Sequence, residues 1–164
     1  MSKELEQKFV SDLEENQNIV HKICRLYTNN QDAHNDLFQE ISIQLWRAYP
    51  KFRGDSKFST WMYRVALNTA ITLYRKSKRT IKTHDFESVS FKIEATDYDD
   101  TEEEQLKLLY KAVHHLSDIE KALVFLYLED KNYKEIALTM GITEVNARVK
   151  MSRVKNKLRK ILNP

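Results

Sequence analysis

"SDIEKALVFLYLEDKNYKEIALTMGITEVNARVKMSRVKNKLRKIL", residues 117–162, encodes three successive helices. Ser117 and Glu120 have the spacing of a capping box, in which an N-cap hydroxyl and the third helical residue satisfy each other's backbone donors. They open a helix running through Leu128, rich in Leu, Val and Phe. Asn132 and Glu135 repeat the signature and start a short helix, Tyr133 to Met140. Gly141 suits the left-handed residue that ends it, and Thr143 can cap the last helix. Two helices joined by a tight turn, with Ala137 small enough for close crossing, predict a helix-turn-helix.

The last helix carries two messages. Ala147, Met151, Val154, Leu158 and Ile161 recur at steps of four and three, the stripe of a helix lying on a core. The rest of its wheel is basic: Arg148, Lys150, Arg153, Lys155, Lys157, Arg159 and Lys160 face a single acid, Glu144. The second helix of such a unit enters the major groove with its N-terminal half. The residues expected to meet duplex DNA are Tyr133 and Thr143 at the two helix starts, then Val145, Asn146, Arg148, Val149, Lys150, Ser152 and Arg153. Arg148 and Arg153 can read guanine edges or grip phosphates, and Val145 and Val149 can receive thymine methyls. Either valine alone is an ordinary surface residue. A helix with seven bases and one acid beside a helix-turn-helix spacing points to duplex DNA.

Upstream, the composition is that of an almost wholly helical protein, with two glycines and two prolines in 164 residues. No apolar run is long enough to span a bilayer and no signal peptide is evident, so a cytoplasmic protein without membrane insertion is expected. The single cysteine, Cys24, shares an apolar stripe with Ile19, Ile23 and Leu26 and reads as a reduced, buried thiol. The net charge of +3 conceals a segregation. Residues 1–79 carry 13 basic and 9 acidic side chains, residues 80–105 carry 2 and 9, and residues 106–164 carry 12 and 6. The expected organisation is therefore all-α, two small helical domains at 1–80 and 105–164 joined by an acidic, flexible linker at 81–104. Leu106, Leu109, Tyr110, Val113 and Leu116 predict one more amphipathic helix after that linker.

In the N-terminal domain, "DLFQEISIQLWRAY" (36–49) puts Leu37, Phe38, Ile41, Leu45, Ala48 and Tyr49 on one face. Asp36, Gln39, Glu40, Ile43, Trp46 and Arg47 lie opposite. An exposed isoleucine and tryptophan among charges suit protein docking. Cover by a neighbouring helix over residues 3–16 accounts for Ile43 and Trp46 equally well. Residues 47–79 then hold nine bases, one acid (Asp55) and six aromatics, broken by Gly54 into a helix end, a loop and a long helix. Met62, Val65, Ala66, Thr69 and Leu73 of that helix are expected inward; Trp61, Arg64, Asn68, Thr72, Arg75 and Arg79 share another face. Cations interleaved with aromatics suit a splayed single strand, whose bases stack while its phosphates pair. Phe58, Tyr63 and Tyr74 are read as core.

The order "DLFQE", "FRGDSKFSTWMYRVALNTAI", "YRKSKR" and "LSDIEKALVFLYLEDKNYKEIALTMGITE" resembles a bacterial RNA polymerase sigma factor of the extracytoplasmic-function group. The resemblance covers nearly the whole chain. It implies that Asp36 to Glu40, with Leu37, Ile43, Trp46 and Arg47 alongside, dock on the clamp helices of the largest polymerase subunit. It implies that Arg53, Gly54, Asp55, Lys57, Trp61, Arg64 and Asn68, continued by Arg75 and Arg79, engage the melted minus-ten element. It implies that the final helix-turn-helix reads the minus-thirty-five element and meets the flap of the second-largest subunit. Core polymerase and promoter DNA are the implied partners, and an anti-sigma factor is a candidate further one. Many relatives have an acidic pair where Asn35–Asp36 stands, Asp in place of Thr72, and Leu–Pro in place of Leu116–Ser117. The turn run Val145 to Arg148 also differs, so base preference does not carry over.

The alternative is a free-standing helix-turn-helix transcriptional regulator, which would bind duplex without polymerase. An enzyme finds little support. His21 with Cys24, His34 with Asp36, and His114–His115 lack the partners for a closed metal site or an ordered triad. No cofactor, metal or catalytic residue is expected.

Overall fold

The computed structural model describes residues 2–84 and 104–164, which form seven α-helices and one short 3-10 turn, Tyr49–Lys51. Helices α1 (Lys3–Tyr27), α2 (Gln31–Ala48) and α3 (Phe58–His84) make an N-terminal lobe. Helices α4 (Glu104–Val113), α5 (Asp118–Leu128), α6 (Tyr133–Met140) and α7 (Glu144–Leu162) make a C-terminal lobe. Most of the acidic segment expected as a linker, residues 85–103, lies outside the described residues. Helix α3 continues to His84, past the boundary read from charge.

The helix starts follow from capping chemistry. The Ser2 hydroxyl accepts from Leu5 N at 3.3 Å and the Asn30 side chain from Ala33 N at 2.8 Å. Ser117 with Glu120 and Asn132 with Glu135 both close full capping boxes. Losing such a cap typically costs about 1 kcal/mol. Gly141 ends α6 in the left-handed region at φ 70°, where a side chain is disfavoured. Helix α4 stops at Val113 instead of reaching Leu116; His115 N and Leu116 N bond back to Ala112 O and Val113 O as the chain tightens into a turn. Leu116 is nonetheless buried, as its place on the apolar stripe required.

The N-terminal core is built from Val20, Ile23 and Cys24 of α1, Ile41 and Leu45 of α2, and Met62, Ala66 and Leu67 of α3. Truncating a leucine such as Leu45 at full burial costs about 2–5 kcal/mol. Burial pushes the Cys24 thiol up to about 12, which keeps it protonated. In the C-terminal lobe Val113, Leu123, Leu126, Ile136, Ala147, Met151 and Val154 fill the centre. Leu158 and Ile161 flank it half-buried.

Helix α3 corrects the wheel reading. Met62, Tyr63 and Ala66 are buried as expected, but Val65, Thr69 and Leu73, and the core candidates Phe58 and Tyr74, are only half-buried, while Leu67, Ala70 and Ile71 are buried. The cause is a second covered side: α3 packs on α1 and α2 and also touches α5 and α6 of the other lobe. Tyr63 faces Phe125 with ring centroids 5.8 Å apart, and its hydroxyl donates to Glu129 at 3.2 Å. The two lobes are therefore in direct contact.

Candidate functional site

Three surfaces collect the residues singled out in the sequence. On α2, Asp36, Gln39 and Arg47 are exposed, and Glu40 is half-buried, accepting from Gln44 Nε2 at 3.0 Å. Leu37 is 7 % exposed and supports this face from beneath. Phe9 of α1 packs edge-on to Trp46 at 5.1 Å, so Trp46 is half-buried, whereas Ile43 stays 38 % exposed. Both readings of this pair thus hold in part: a neighbouring helix covers Trp46 and leaves Ile43 outside. Val10 of α1 adds a second exposed apolar side chain.

The second surface begins in the loop between the 3-10 turn and α3. Arg53, Gly54, Asp55 and Lys57 are all exposed, and Gly54 turns the chain at φ 77°. Trp61 is half-buried at the start of α3, with its ring 5.0 Å from Phe52, 5.5 Å from Phe58 and 6.2 Å from Tyr49. These rings hold the indole in place and leave part of it open. Beyond it Arg64, Asn68, Thr72, Arg75 and Arg79 are exposed along one helix face. The Thr72 hydroxyl donates to Asn68 O at 2.8 Å. Arg75 is paired through Nε with the Asp118 carboxylate of the other lobe.

The third surface is the helix-turn-helix. Its stripe is buried at Ala147, Met151 and Val154, which turns Val145, Asn146, Arg148, Val149, Ser152 and Arg153 outward, all exposed. Val145 is 71 % and Leu138 of α6 is 68 % exposed, a solvent-facing apolar edge beside the cations. Lys150 and Tyr133 are half-buried. Thr143 is exposed, with its hydroxyl engaged as the cap by Asn146 N at 3.1 Å. The Arg148 guanidinium lies 4.6 Å above the Tyr133 ring and 3.0 Å from the Glu144 carboxylate. Lys155 Nζ donates to the Tyr127 hydroxyl at 3.2 Å, which raises its pKa.

His21, His34 and His114 bond within the fold. His21 Nδ1 and His34 Nε2 share a hydrogen bond at 2.9 Å, and His114 Nε2 bonds Arg25 O at 2.9 Å. Among the described residues no group of three or more His, Cys, Asp or Glu side chains is placed to hold a metal ion. Nor is any helix among them long and apolar enough to cross a membrane. What the sequence did not show is the set that joins the lobes: Lys22, Tyr27, Asp118, Lys121 and Glu129. Their partners stand 43 to 107 residues away along the chain, and no local pattern marks such pairs.

Residues 13–80 match the family Sigma-70 region 2, and residues 106–158 match Sigma-70, region 4. The chain is 30% identical over 157 residues to the RNA polymerase sigma-H factor of Pseudomonas aeruginosa, covering 89% of this chain and 81% of that relative. It is 28% identical over 159 residues to the ECF RNA polymerase sigma-E factor of Haemophilus influenzae, covering 90% and 84%. Its fold matches that of the sigma factor RpoE of Bartonella quintana, solved in complex with the anti-sigma factor NepR. That match has a TM-score of 0.74 at 20% identity over 98% of both chains. CnrH, solved with the cytosolic domain of CnrY, gives 0.66 at 16% identity, covering 96% and 89%. With both family regions matched in order and a relative this similar across most of its length, the chain belongs to the RNA polymerase sigma factors, in the extracytoplasmic-function group.

Proposed function

We propose that this sigma factor confers promoter choice on core RNA polymerase through the three surfaces just described, acting as a non-catalytic subunit in the cytoplasm. The face of Asp36, Gln39, Glu40, Ile43, Trp46 and Arg47, backed by Leu37, docks on the clamp helices of the largest subunit. Arg53, Gly54, Asp55 and Lys57, with Trp61, Arg64, Asn68, Arg75 and Arg79, take the melted minus-ten strand. Tyr133, Thr143, Val145, Asn146, Arg148, Val149, Lys150, Ser152 and Arg153 take the minus-thirty-five duplex, and this lobe also meets the flap. Domain limits of 1–80 and 105–164 follow the same division. An anti-sigma factor fits as a further partner, since RpoE of Bartonella quintana was solved with one.

The observation that carries this reading is the aromatic bed under Trp61 at the head of an exposed row of cations. A duplex-only reader has no use for it; single strands are held by stacking bases and pairing phosphates. A free-standing regulator is not favoured, because residues 13–80 match region 2. The test is a pull-down with core polymerase. Wild-type chain should be retained, and Asp36→Lys with Glu40→Lys should lose retention at unchanged helical content. Equal retention of the double variant would remove α2 as the docking face.

A further inference from the structure

Helix α7 carries one acid, Glu144, against seven bases, and that acid stands in its first turn. The helix dipole favours an acid there, which alone accounts for a glutamate lying free in solvent. Glu144 is not free: its carboxylate accepts from Arg148 Nη2 at 3.0 Å. The Arg148 guanidinium also lies 4.6 Å above the Tyr133 ring of α6. This arginine is held by its own helix and by the preceding one. Arg153, exposed on the same helix, has no such hold among the described residues.

The ring beneath the arginine is itself fixed. Tyr133 is the first residue of α6, half-buried, behind the closed capping box of Asn132 and Glu135. Lys155 of α7, which donates to the Tyr127 hydroxyl at 3.2 Å, also interacts electrostatically with Tyr133. The platform under Arg148 therefore does not depend on DNA for its position.

Both members of the pair are open to water, the Arg148 side chain at 59% and that of Glu144 at 48%, so the pair adds little to stability. Its effect is on orientation and on choice. A guanidinium carries its N–H donors in a planar fork, and only Nη2 is engaged by the carboxylate. The donors left over keep the geometry that matches guanine O6 and N7. A phosphate is a different case, because it brings a second anion beside the Glu144 carboxylate and the two repel. An arginine that only grips phosphate gains nothing from such a neighbour. One that reads a base is kept from sliding to the backbone, and its rotamers are ordered before binding.

We propose that Glu144 is a specificity-determining residue: with the Tyr133 ring it holds the Arg148 fork toward a guanine edge of the duplex and turns it from the phosphates. The inference rests on α7 as the reader of the minus-thirty-five duplex. It adds Glu144 to the residues that decide base choice, as a positioning residue acting through Arg148. It also gives the Tyr133 ring a task apart from touching DNA.

The test uses holoenzyme, core polymerase with the full chain, and a duplex pool randomised across the minus-thirty-five element. Wild type should enrich guanine at one position, and Arg148→Ala should reduce that enrichment about tenfold or more. Glu144→Gln, which keeps the side-chain shape, should reduce it at the same position by about threefold or more. Its binding to the unselected pool should stay equal or rise, and its salt slope should steepen by up to about one unit as the released arginine reaches a phosphate. Tyr133→Phe should keep the guanine preference, and Tyr133→Leu should lower it. Unchanged enrichment in Glu144→Gln beside a lost one in Arg148→Ala would overturn the role of Glu144 and leave α7 as reader. Weakening of Glu144→Gln by the same factor on every sequence would overturn it too, since that marks a damaged helix start. A loss with Tyr133→Phe as large as with Tyr133→Leu would remove the ring as platform. Enrichment of the same sequences by Arg148→Ala with Arg153→Ala as by wild type would instead show that α7 is not the reader, and the inference would fall with that reading.

Discussion

Arg148 lies between the Tyr133 ring and the Glu144 carboxylate, a guanidinium oriented before any DNA arrives. Arg148→Ala and Arg153→Ala should each cost about 1–3 kcal/mol in promoter binding, concentrated at one base pair, if the side chain reads a base edge. A phosphate contact would instead weaken all sequences alike and lower the salt slope by about one unit. Titration against matched and mismatched duplexes separates the two, and full promoter affinity in the double variant would exclude α7 as reader. His34 supplies a different residue-scale expectation. Burial, then the neighbouring His21 and Arg25, lower its pKa to about 4, and the shared bond with His21 has room for one proton. As pH falls below about 6.5 the unfolded histidine gains a proton that the folded one refuses until about 4. Stability is therefore full at neutral pH and declines across that window, by on the order of 1–2 kcal/mol after solvent screening. His21, also lowered by burial, adds in the same direction. Urea midpoints at pH 7.5 and 5 should differ less for His34→Gln than for wild type; an equal difference would contradict the assignment.

At the scale of helices, the most legible features were local ones. Every capping box and the left-handed Gly141 are settled by residues three or four apart, and all were readable from spacing alone. Gly141→Ala should lower stability by about 1 kcal/mol, because the left-handed turn closing the helix-turn-helix strains a side chain. Thermal unfolding measures it, and an unshifted midpoint would mean that the turn relaxes. The one-sided wheel of α7 was read correctly because a single lobe covers it. Helix α3 was not, because its buried width depends on a second lobe whose pairing leaves no periodic trace. Trp61 shows the same limit. Its place on the basic stripe was visible, but the support from Phe52 and Tyr49 comes from the fold of the segment before α3, which spacing cannot convey. Trp61→Ala should leave core binding intact and reduce open complexes on a linear promoter, with rescue on a pre-melted bubble. Stacking returns about 1–3 kcal/mol per captured base, against about 1.4 kcal/mol to open each step. One indole therefore contributes to melting without driving it, and an unrescued loss on the bubble would point to misfolding.

For the whole molecule, the order of two helical domains was legible because each carries its own motif set, and both matched family regions fall within those domains. Their contact was not legible, since it rests on scattered pairs such as Lys22 with Glu129 and Tyr27 with Asp118. On the proposed function, the two surfaces assigned to DNA lie on different lobes and act together once polymerase holds the lobes apart. That claim is tested most directly by permanganate reactivity of minus-ten thymines on a linear promoter, with core enzyme and chain added singly and together. The account predicts reactive thymines only when both are present. Duplex binding by the chain alone, with no reactive thymine when core is added, would contradict it and leave a simple duplex-binding regulator in its place.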